Sequence, residues 1–363
     1  MIFGERGVGK TSMANVVATK ILGPVLPVRV NCDTTDTYSS LWMKVFERTP
    51  VEQTVTDMGL MSTTTTVHEF LADRFRDDEG GGIVPDDVCR ALEGLPGFPI
   101  IIVDEFDRIM DPVVKQTMAD TIKTLSDYSI TATVVLVGVA DSVDQLIEQH
   151  HSIDRALVQI QMPRMSVGEL YEIVDNGLQM LGMAIDDEAK HEIAAMSKGL
   201  PHYTHLLALH AARTALDSES MRITPENVEE AILKALEGAQ ETIRSAYHKA
   251  TMSTRTDTIY PQVLLACALA ETDEFGYFAP GDVRSPLSAI MQKAKGIASF
   301  SRHLHDFCGE ERGGVLEKTG AAYRFRFRFI NPLMQPYVIM QGRAKKLVDR
   351  GRLDAIEQLR LRR

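Results

Sequence analysis

The sequence predicts an α/β domain with a parallel sheet, followed by a helical subdomain and a C-terminal winged helix. Residues 1–163 alternate apolar, β-branched runs with helical patterns, which is typical of a parallel sheet flanked by helices. After this region the pattern becomes helical, and the chain later closes with a segment that alternates aromatic and basic residues. We therefore expect the α/β domain over 1–163, the helical subdomain over 164–250, the winged helix over 251–345 and a basic helix or tail over 346–363.

Three apolar segments of the first domain predict strands, namely Val25–Asn31, Ile100–Val103 and Thr133–Val139. Two polar segments, Asp77–Gly82 and the threonine run Ser62–Thr66, predict exposed loops. Strands separated by helical patterns indicate crossover connections, so the strands should run parallel.

The second half of the chain contains two helix-start patterns. Ser166 with Glu169 predicts a capping box, and Thr224 before Pro225 predicts a second helix start. A linker is predicted over Thr251–Thr256. Beyond it the pattern predicts three helices and a hairpin: Tyr260–Glu271, Pro286–Lys293, Ser299–Phe307 and Gly313–Phe329. This order is that of a winged helix, a helix-turn-helix variant.

Composition places the chain among globular proteins. With 363 residues, 44% of them hydrophobic and 25% charged, the chain is long enough for more than one core. The longest apolar runs fall well short of the roughly 18 residues that a membrane-spanning helix needs. The four cysteines are widely scattered, which favours reduced thiols and predicts a cytoplasmic location.

Charge is distributed unevenly along the chain. The formal net charge is −11, but residues 281–363 carry 17 Lys/Arg against 8 Asp/Glu, a net of +9. Residues 1–280 therefore have a net charge of −20. The total argues against a protein that coats nucleic acid over its whole surface, whereas the basic end predicts an anionic partner.

A glycine-rich segment near the start predicts a phosphate-binding loop. Its residues are Gly4, Glu5, Arg6, Gly7, Val8, Gly9, Lys10 and Thr11, followed by Ser12. Glycines let backbone N–H groups curl around phosphates, and the following helix N-terminus attracts the anion. We expect the segment to bind ATP, with Lys10 at the β- and γ-phosphates and Thr11 on Mg²⁺.

Four β-branched residues lead into Asp104 and Glu105. This pattern places two carboxylates at the carboxyl end of a buried strand, where α/β sheets bind ligands. Asp104 is the candidate residue that binds Mg²⁺, either directly or through a water molecule. Glu105 is the candidate group that orients the attacking water, since phosphoryl transfer depends mainly on positioning and charge stabilisation.

These two motifs, with Val28–Cys32 as second strand and a terminal winged helix, resemble the AAA+ ATPases, and within them the origin-recognition and replication-initiator branch. The resemblance implies a polar sensor at Asp141, for which Ser142 or a helix cap is the alternative reading. It also implies that Arg155 is an arginine finger acting on a neighbouring subunit, and hence an oligomer. The alternative for Arg155 is an ordinary salt bridge with Asp154 or Glu148.

The helical subdomain departs from this pattern. Where the resemblance implies a second sensor arginine, the chain has Gly199-Leu200-Pro201-His202, so His202 is the candidate nucleotide contact. This Gly-x-Pro also resembles a motif of the signalling ATPases called STAND, which act as slow nucleotide switches. Histidine is mostly neutral at pH 7 and supplies less charge to phosphate, so we expect slow turnover.

The basic end suggests a DNA-binding surface. Tyr323–Phe329 alternates aromatic and basic residues, so the aromatic side chains should lie on one strand face and the arginines on the other. Arg324, Arg326 and Arg328, together with Arg302 on a preceding helix, are candidate contacts to duplex DNA phosphates. The alternative is a solvated sheet face without a partner.

Only Met1-Ile2-Phe3 precedes the glycine-rich loop, which predicts a truncated first strand. The expected function is an ATP-binding, slowly hydrolysing switch that binds duplex DNA through its winged helix, which would associate it with the nucleoid. The alternative is a STAND-like signalling or phage-defence ATPase whose winged helix contacts a protein effector.

Overall fold

The computed structural model describes residues 1–20, 25–57, 63–75, 82–140, 155–253, 258–273, 275–321 and 324–361. The chain divides into two compact units. The first comprises Met1–Glu5 and Gly9–Met162, and the second comprises Arg6–Val8 and Pro163–Arg363.

A five-stranded parallel sheet forms the centre of the first unit. Its strands are β1 (Ile2–Gly4), β2 (Val25–Asn31), β5 (Phe98–Asp104), β6 (Thr133–Val139) and β7 (Ile160–Gln161), in the order β2-β5-β6-β1-β7. Each neighbouring pair is parallel. The three strands predicted from the sequence are present, and the predicted parallel α/β core is confirmed.

Four α-helices accompany this sheet in the described part of the first unit: α1 (Lys10–Lys20), α2 (Tyr38–Phe46), α3 (Pro85–Glu93) and α4 (Pro112–Asp127). Trp42 and Phe46 of α2 are fully buried in the larger hydrophobic cluster. A smaller cluster on the sheet joins Ile2, Ile102 and Ala14 of α1. The sheet is therefore covered by apolar side chains, as parallel sheets require.

The prediction of a loop at the threonine run is wrong. Thr63–Phe70 forms β4, which pairs antiparallel with β3 (Pro50–Asp57) over eight residues. Threonine is β-branched and favours the extended backbone, so a run of threonines is compatible with a strand. Most of the other predicted loop, Asp77–Gly82, lies outside the described residues.

The helical subdomain occupies the start of the second unit. Its elements are α5 (Val167–Leu181), β8 (Ala184–Ile185), α6 (Asp187–Ser197), α7 (Pro201–Asp217), β9 (Arg222–Ile223) and α8 (Pro225–Glu237). Both predicted helix starts are confirmed. Ser166 and Glu169 form the capping box at α5, and α8 begins at Pro225 after the cap Thr224.

The last part of the second unit contains further helices and a hairpin: α9 (Glu241–Thr251), α10 (Tyr260–Ala268), α11 (Pro280–Met291), α12 (Ser301–Asp306), β10 (Leu316–Thr319), β11 (Arg326–Phe329), α13 (Met334–Ala344) and α14 (Arg350–Leu361). Strands β10 and β11 pair antiparallel. Helices followed by a hairpin are the predicted winged-helix arrangement. Of the predicted linker, Thr251 ends α9, and 254–257 lie outside the described residues.

Helix α11 begins six residues earlier than predicted. Its N-terminus is fixed by Asp282, whose carboxylate accepts a 2.8 Å hydrogen bond from the backbone N–H of Ala279. Pro280 occupies the first helical position, where no N–H is needed. Pro286, predicted as the helix start, instead lies inside the helix.

Helix α13 is largely buried within the second unit. It was not predicted from the sequence. Eight of its residues are buried, and it packs against α6 and α8 of the helical subdomain and against α9 and α10. Gly342 is required by this packing, since a Cβ there would lie 2.7 Å from the side chain of Leu265.

No helix in the part of the chain that the structure describes is long and apolar enough to cross a membrane.

Candidate nucleotide-binding site

The glycine-rich loop connects β1 to α1. Gly4, Gly7 and Gly9 have φ values of 145°, 91° and 97°, a region that side chains other than glycine rarely adopt. A Cβ on Gly4 would also lie 2.4 Å from the carbonyl oxygen of Met162. Glycine is therefore needed at Gly4 both for its conformation and for the close approach of the neighbouring backbone.

Lys10 is the first residue of α1 and is buried, at 8% exposure. Its Nζ donates hydrogen bonds to the carbonyl oxygens of Gly4 (3.0 Å) and Glu5 (2.7 Å). The Lys10 ammonium group thus lies beside the loop that precedes α1. It places a positive charge where this loop meets the N-terminus of the helix. This is where an anionic phosphate group would be attracted.

The two motifs predicted from the sequence meet through Thr11 and Asp104. Thr11 lies in the first turn of α1, and its Oγ1 donates a 2.8 Å hydrogen bond to Oδ2 of Asp104 at the end of β5. These residues are 93 positions apart in the chain. The parallel sheet positions them, because β5 ends at the same edge as β1.

Asp104 is 3% exposed and its carboxylate is fully engaged. Oδ1 accepts from the backbone N–H of Glu105 at 2.9 Å, and Oδ2 accepts from Arg29 as well as from Thr11. A buried carboxylate requires such partners, since an isolated charge away from water is costly. Within the described residues this carboxylate is therefore held in one orientation.

Sequence reasoning missed Arg29 as a member of the site. Its Nη2 lies 2.8 Å from Oδ2 of Asp104. Arg29 is a charged residue inside the apolar strand β2, and Asn31, two positions on, is paired in register with Asp104. Because residues two apart share a strand face, this spacing could have indicated that Arg29 faces the same side of the sheet as Asp104.

Glu105 has a left-handed backbone conformation, with φ 56° and ψ 35°. Such a conformation is uncommon for a residue other than glycine and tends to occur at functional sites. Its Oε2 lies 3.0 Å from Nη1 of Arg108, and this hydrogen bond is the main reason that the pKa of the Arg108 guanidinium is raised. Both side chains are about half exposed.

Of the predicted sensor Asp141 and the predicted arginine finger Arg155, only Arg155 lies within the described residues. Asp141, Ser142, Glu148 and Asp154 all lie outside the described residues. Arg155 is exposed in a turn before β7. The roles of Asp141 and Arg155 stay predictions.

His202 lies in the first turn of α7, in the second unit. The turn before it needs glycine, because Gly199 has φ 79° and a Cβ there would lie 2.7 Å from the Cβ of Arg164. Partial burial, and then the neighbouring His205, lower the pKa of His202. The imidazole is therefore mostly neutral at pH 7, as the sequence predicted for histidine in general.

The four candidate DNA-contacting arginines differ in their surroundings. Arg302 on α12 has a 90% exposed side chain that lies 3.9 Å from a carboxylate oxygen of Asp306, and Arg324 before β11 is exposed. Arg326 instead lies 3.0 Å from a carboxylate oxygen of Asp273. Arg328 pairs with Glu317 and stacks over the ring of Tyr277 at 4.6 Å. The alternation of exposed and buried side chains along β11 follows the predicted pattern.

The oxygen groups at this site fit a magnesium ion. Thr11 contributes a hydroxyl and Asp104 a carboxylate, and Mg²⁺ prefers hard oxygen ligands of this kind beside substrate phosphates. A group of three or more His, Cys, Asp or Glu side chains that could hold a metal by themselves is not found among the described residues.

A glycine loop before a helix, a lysine within it and a carboxylate at the end of a central parallel strand together define a P-loop nucleotide-binding domain. Residues 1–147 match the family model described as AAA domain. Residues 1–147 are thus similar to an AAA domain, and a helical region and a small C-terminal hairpin follow them in the chain.

No curated protein matches the sequence. Among solved structures, the Aeropyrum pernix ORC2 protein in ADPNP–ADP complexes is 13% identical, covers 100% of this chain and 88% of its own, and gives a TM-score of 0.47. The A. pernix ORC1 protein in complex with DNA is 15% identical, with 96% and 87% coverage and a TM-score of 0.45. The Thermotoga maritima RuvB Holliday junction branch migration motor is 15% identical, with 91% and 83% coverage and a TM-score of 0.44. At these values the similarities indicate nothing about this chain's ligands or partners.

Proposed function

We propose that this protein is an ATP-dependent molecular switch that hydrolyses ATP slowly and binds duplex DNA through its winged helix. The observation that carries the proposal is the 2.8 Å hydrogen bond between Thr11 and Asp104. It joins the phosphate loop to the acidic strand end, and a glycine-rich turn without nucleotide chemistry would have no need of this bond.

In the proposed ATP complex, the loop and Lys10 hold the phosphates, and Thr11 and Asp104 hold Mg²⁺. A bound metal would supply positive charge that offsets the negative charge of the phosphate oxygens. Asp104 is suited to this role because its carboxylate is already fixed by the backbone of Glu105.

Glu105 is the proposed residue that orients and polarises the attacking water. It follows Asp104 directly, and its left-handed backbone turns the side chain away from the strand direction. Its ion pair with Arg108 has to open before the carboxylate is available. His202, at the position where the resemblance implies a sensor arginine, is mostly neutral because partial burial lowers its pKa, and it supplies less charge than an arginine. Both features favour slow turnover.

Arg155 is the proposed finger that acts on a neighbouring subunit, and its exposure is compatible with that role. Mixing Arg155→Ala chains with Lys10→Ala chains tests this role. Where an Arg155→Ala chain supplies the nucleotide site and a Lys10→Ala chain supplies the finger, both the site and the finger are intact. Partial recovery of ATPase activity supports action between subunits, and no recovery contradicts it.

The DNA part of the proposal is supported by the net charge of +9 over residues 281–363 and by the exposure of Arg302 and Arg324. Phosphate contacts of this kind release counterions, so affinity should fall steeply as salt rises. Measuring the affinity of the ATP-bound protein for a labelled duplex at several salt concentrations tests the proposal. Absent or salt-independent binding would contradict it.

A second candidate is a STAND-like signalling ATPase whose winged helix contacts protein. The observation that favours it is that Arg326 and Arg328 are already paired with Asp273 and Glu317. This candidate predicts tightly retained nucleotide after purification, and no salt-sensitive duplex binding. The DNA titration above therefore distinguishes the two candidates.

A further inference from the structure

Arg29 places a fixed positive charge beside the carboxylate that is proposed to hold the metal. Its guanidinium Nη2 lies 2.8 Å from Oδ2 of Asp104, the same oxygen that accepts from Thr11. Its Nη1 lies 3.4 Å from the side-chain oxygen of Asn15 on α1. Arg29 is therefore directed toward α1 and the carboxyl end of β5.

The burial of Asp104 gives this pair its importance. Asp104 has a 4% exposed side chain, whereas that of Arg29 is 36% exposed. A charge this buried needs a compensating partner, and breaking a buried pair from one side leaves an uncompensated charge. Within the described residues, Arg29 supplies this compensation when no divalent cation is bound.

The guanidinium is nevertheless incompletely bonded. Its Nε is buried and has no hydrogen-bond partner within the described parts of the chain. A buried donor without a partner costs free energy, so the arginine is held less firmly than its short contact to Asp104 suggests. It is therefore able to yield the Oδ2 atom to a competing cation.

We infer that Arg29 substitutes for the divalent cation at Asp104 and thereby reduces the dependence of nucleotide binding on Mg²⁺. This inference rests on the proposed nucleotide function. Without metal, Arg29 neutralises Asp104, so phosphates do not meet an unpaired carboxylate. With metal, the same positive charge opposes Mg²⁺. Both effects lower the factor by which Mg²⁺ raises nucleotide affinity.

The measurable quantity is the factor by which Mg²⁺ raises nucleotide affinity. Isothermal titration calorimetry with ADP, once in Mg²⁺ and once in EDTA, gives this factor as a ratio of two dissociation constants and needs no hydrolysis. Arg29→Met should increase the ratio by about tenfold or more, because it removes a unit charge next to the metal ligand. Arg29→Lys retains the charge and should leave the ratio close to that of the unchanged protein.

Arg90→Met is the matched control, because Arg90 forms an exposed ion pair with Asp87 on α3. It should leave the ratio unchanged. An increase below threefold for Arg29→Met overturns the inference. Arg29→Gln removes the charge but keeps a hydrogen-bond donor for Asp104. If Arg29→Met unfolds, Arg29→Gln replaces it, and the same increase in the ratio is expected. If both neutral variants unfold while Arg29→Lys folds, Arg29 has a structural role and the inference is overturned.

Failure of the proposed function has a different outcome. If the unchanged protein binds ADP neither in Mg²⁺ nor in EDTA, the proposed nucleotide function is wrong, and the inference falls with it. If the unchanged protein binds ADP and the ratio does not respond to Arg29→Met, only the role of Arg29 is wrong.

Discussion

Glu105 and Arg108 form an ion pair at 3.0 Å in the short turn that directly follows strand β5. Glu105 adopts a left-handed backbone, and its carboxylate is directed to a neighbour on its own short turn. The residue proposed to activate water is thus held by an arginine three positions away. The pair is exposed, so it opens at low cost in free energy.

Replacing Glu105 by glutamine should stop ATP turnover while leaving ATP binding intact. Glutamine is nearly isosteric but cannot accept a proton or polarise water as a carboxylate does. We expect a fall in kcat of about 100-fold or more, measured as phosphate release at saturating ATP. Glu93→Gln, at the end of α3, is the control and should behave like the unchanged protein. Normal hydrolysis by Glu105→Gln would show that another group activates the water.

Replacing Arg108 by glutamine should raise kcat, because Glu105 no longer has to leave an ion pair. The gain is bounded by the strength of an exposed pair, about 0–1 kcal/mol, so we expect an increase of at most about fivefold. Steady-state phosphate release measures it. A decrease in kcat would indicate that Arg108 assists the reaction instead of restraining Glu105.

Replacing Arg343 by methionine should destabilise the second unit. Arg343 on α13 lies 3.1 Å from Glu192 on α6, and their side chains are 10% and 4% exposed. Removing one partner of a buried pair typically costs about 3 kcal/mol. Because Arg350 also lies 3.7 Å from Glu192 and remains in the variant, we expect a cost between about 1 and 3 kcal/mol. Thermal unfolding followed by circular dichroism should show a lower transition temperature.

The matched control for Arg343 is the exposed pair of Arg222 with Asp186, at 62% and 36% exposure. Arg222→Met should cost less than about 1 kcal/mol. Equal effects of the two substitutions would contradict the view that α13 is fixed to the helical subdomain by a buried charge pair.

The four candidate DNA arginines should not contribute equally. Arg302→Ala and Arg324→Ala should each weaken duplex binding and reduce its salt dependence by about one counterion, because both side chains are exposed. Arg326→Ala should have a smaller effect on DNA, since that side chain is 46% exposed and lies 3.0 Å from Asp273, whereas Arg302 is 90% exposed and lies 3.9 Å from Asp306. Fluorescence anisotropy with a labelled duplex at several salt concentrations measures both quantities. A larger effect at Arg326 than at Arg302 would reverse this ranking.

Much of the first unit could be predicted because its sequence patterns are local. Val25–Asn31 and Thr133–Val139 are rich in apolar, β-branched residues and form strands with those bounds. The loop residues Gly4 and Gly9 are needed for their backbone conformation, which follows from their spacing before Lys10. Helix starts such as Ser166 with Glu169 are equally local.

The features that could not be predicted depend on distant partners. Helix α13 is buried on most sides, so it lacks the amphipathic pattern that identifies a surface helix. The pairing of Arg326 with Asp273 joins residues far apart in sequence, and charge counting treated that arginine as free. Thr63–Thr66 forms a strand because β3 pairs with it, which composition alone does not indicate.

The central claim is that the glycine-rich loop and Asp104 form one ATP site, and equilibrium binding of ATP in Mg²⁺ tests it most directly. Lys10→Ala removes the buried cation of the loop, and Lys20→Ala, at the exposed end of α1, is the control. We expect saturable binding of one ATP per chain by the unchanged protein and by Lys20→Ala, and a loss of affinity of about 100-fold or more for Lys10→Ala. Equal binding by all three folded proteins, or no binding by any of them, would contradict the claim.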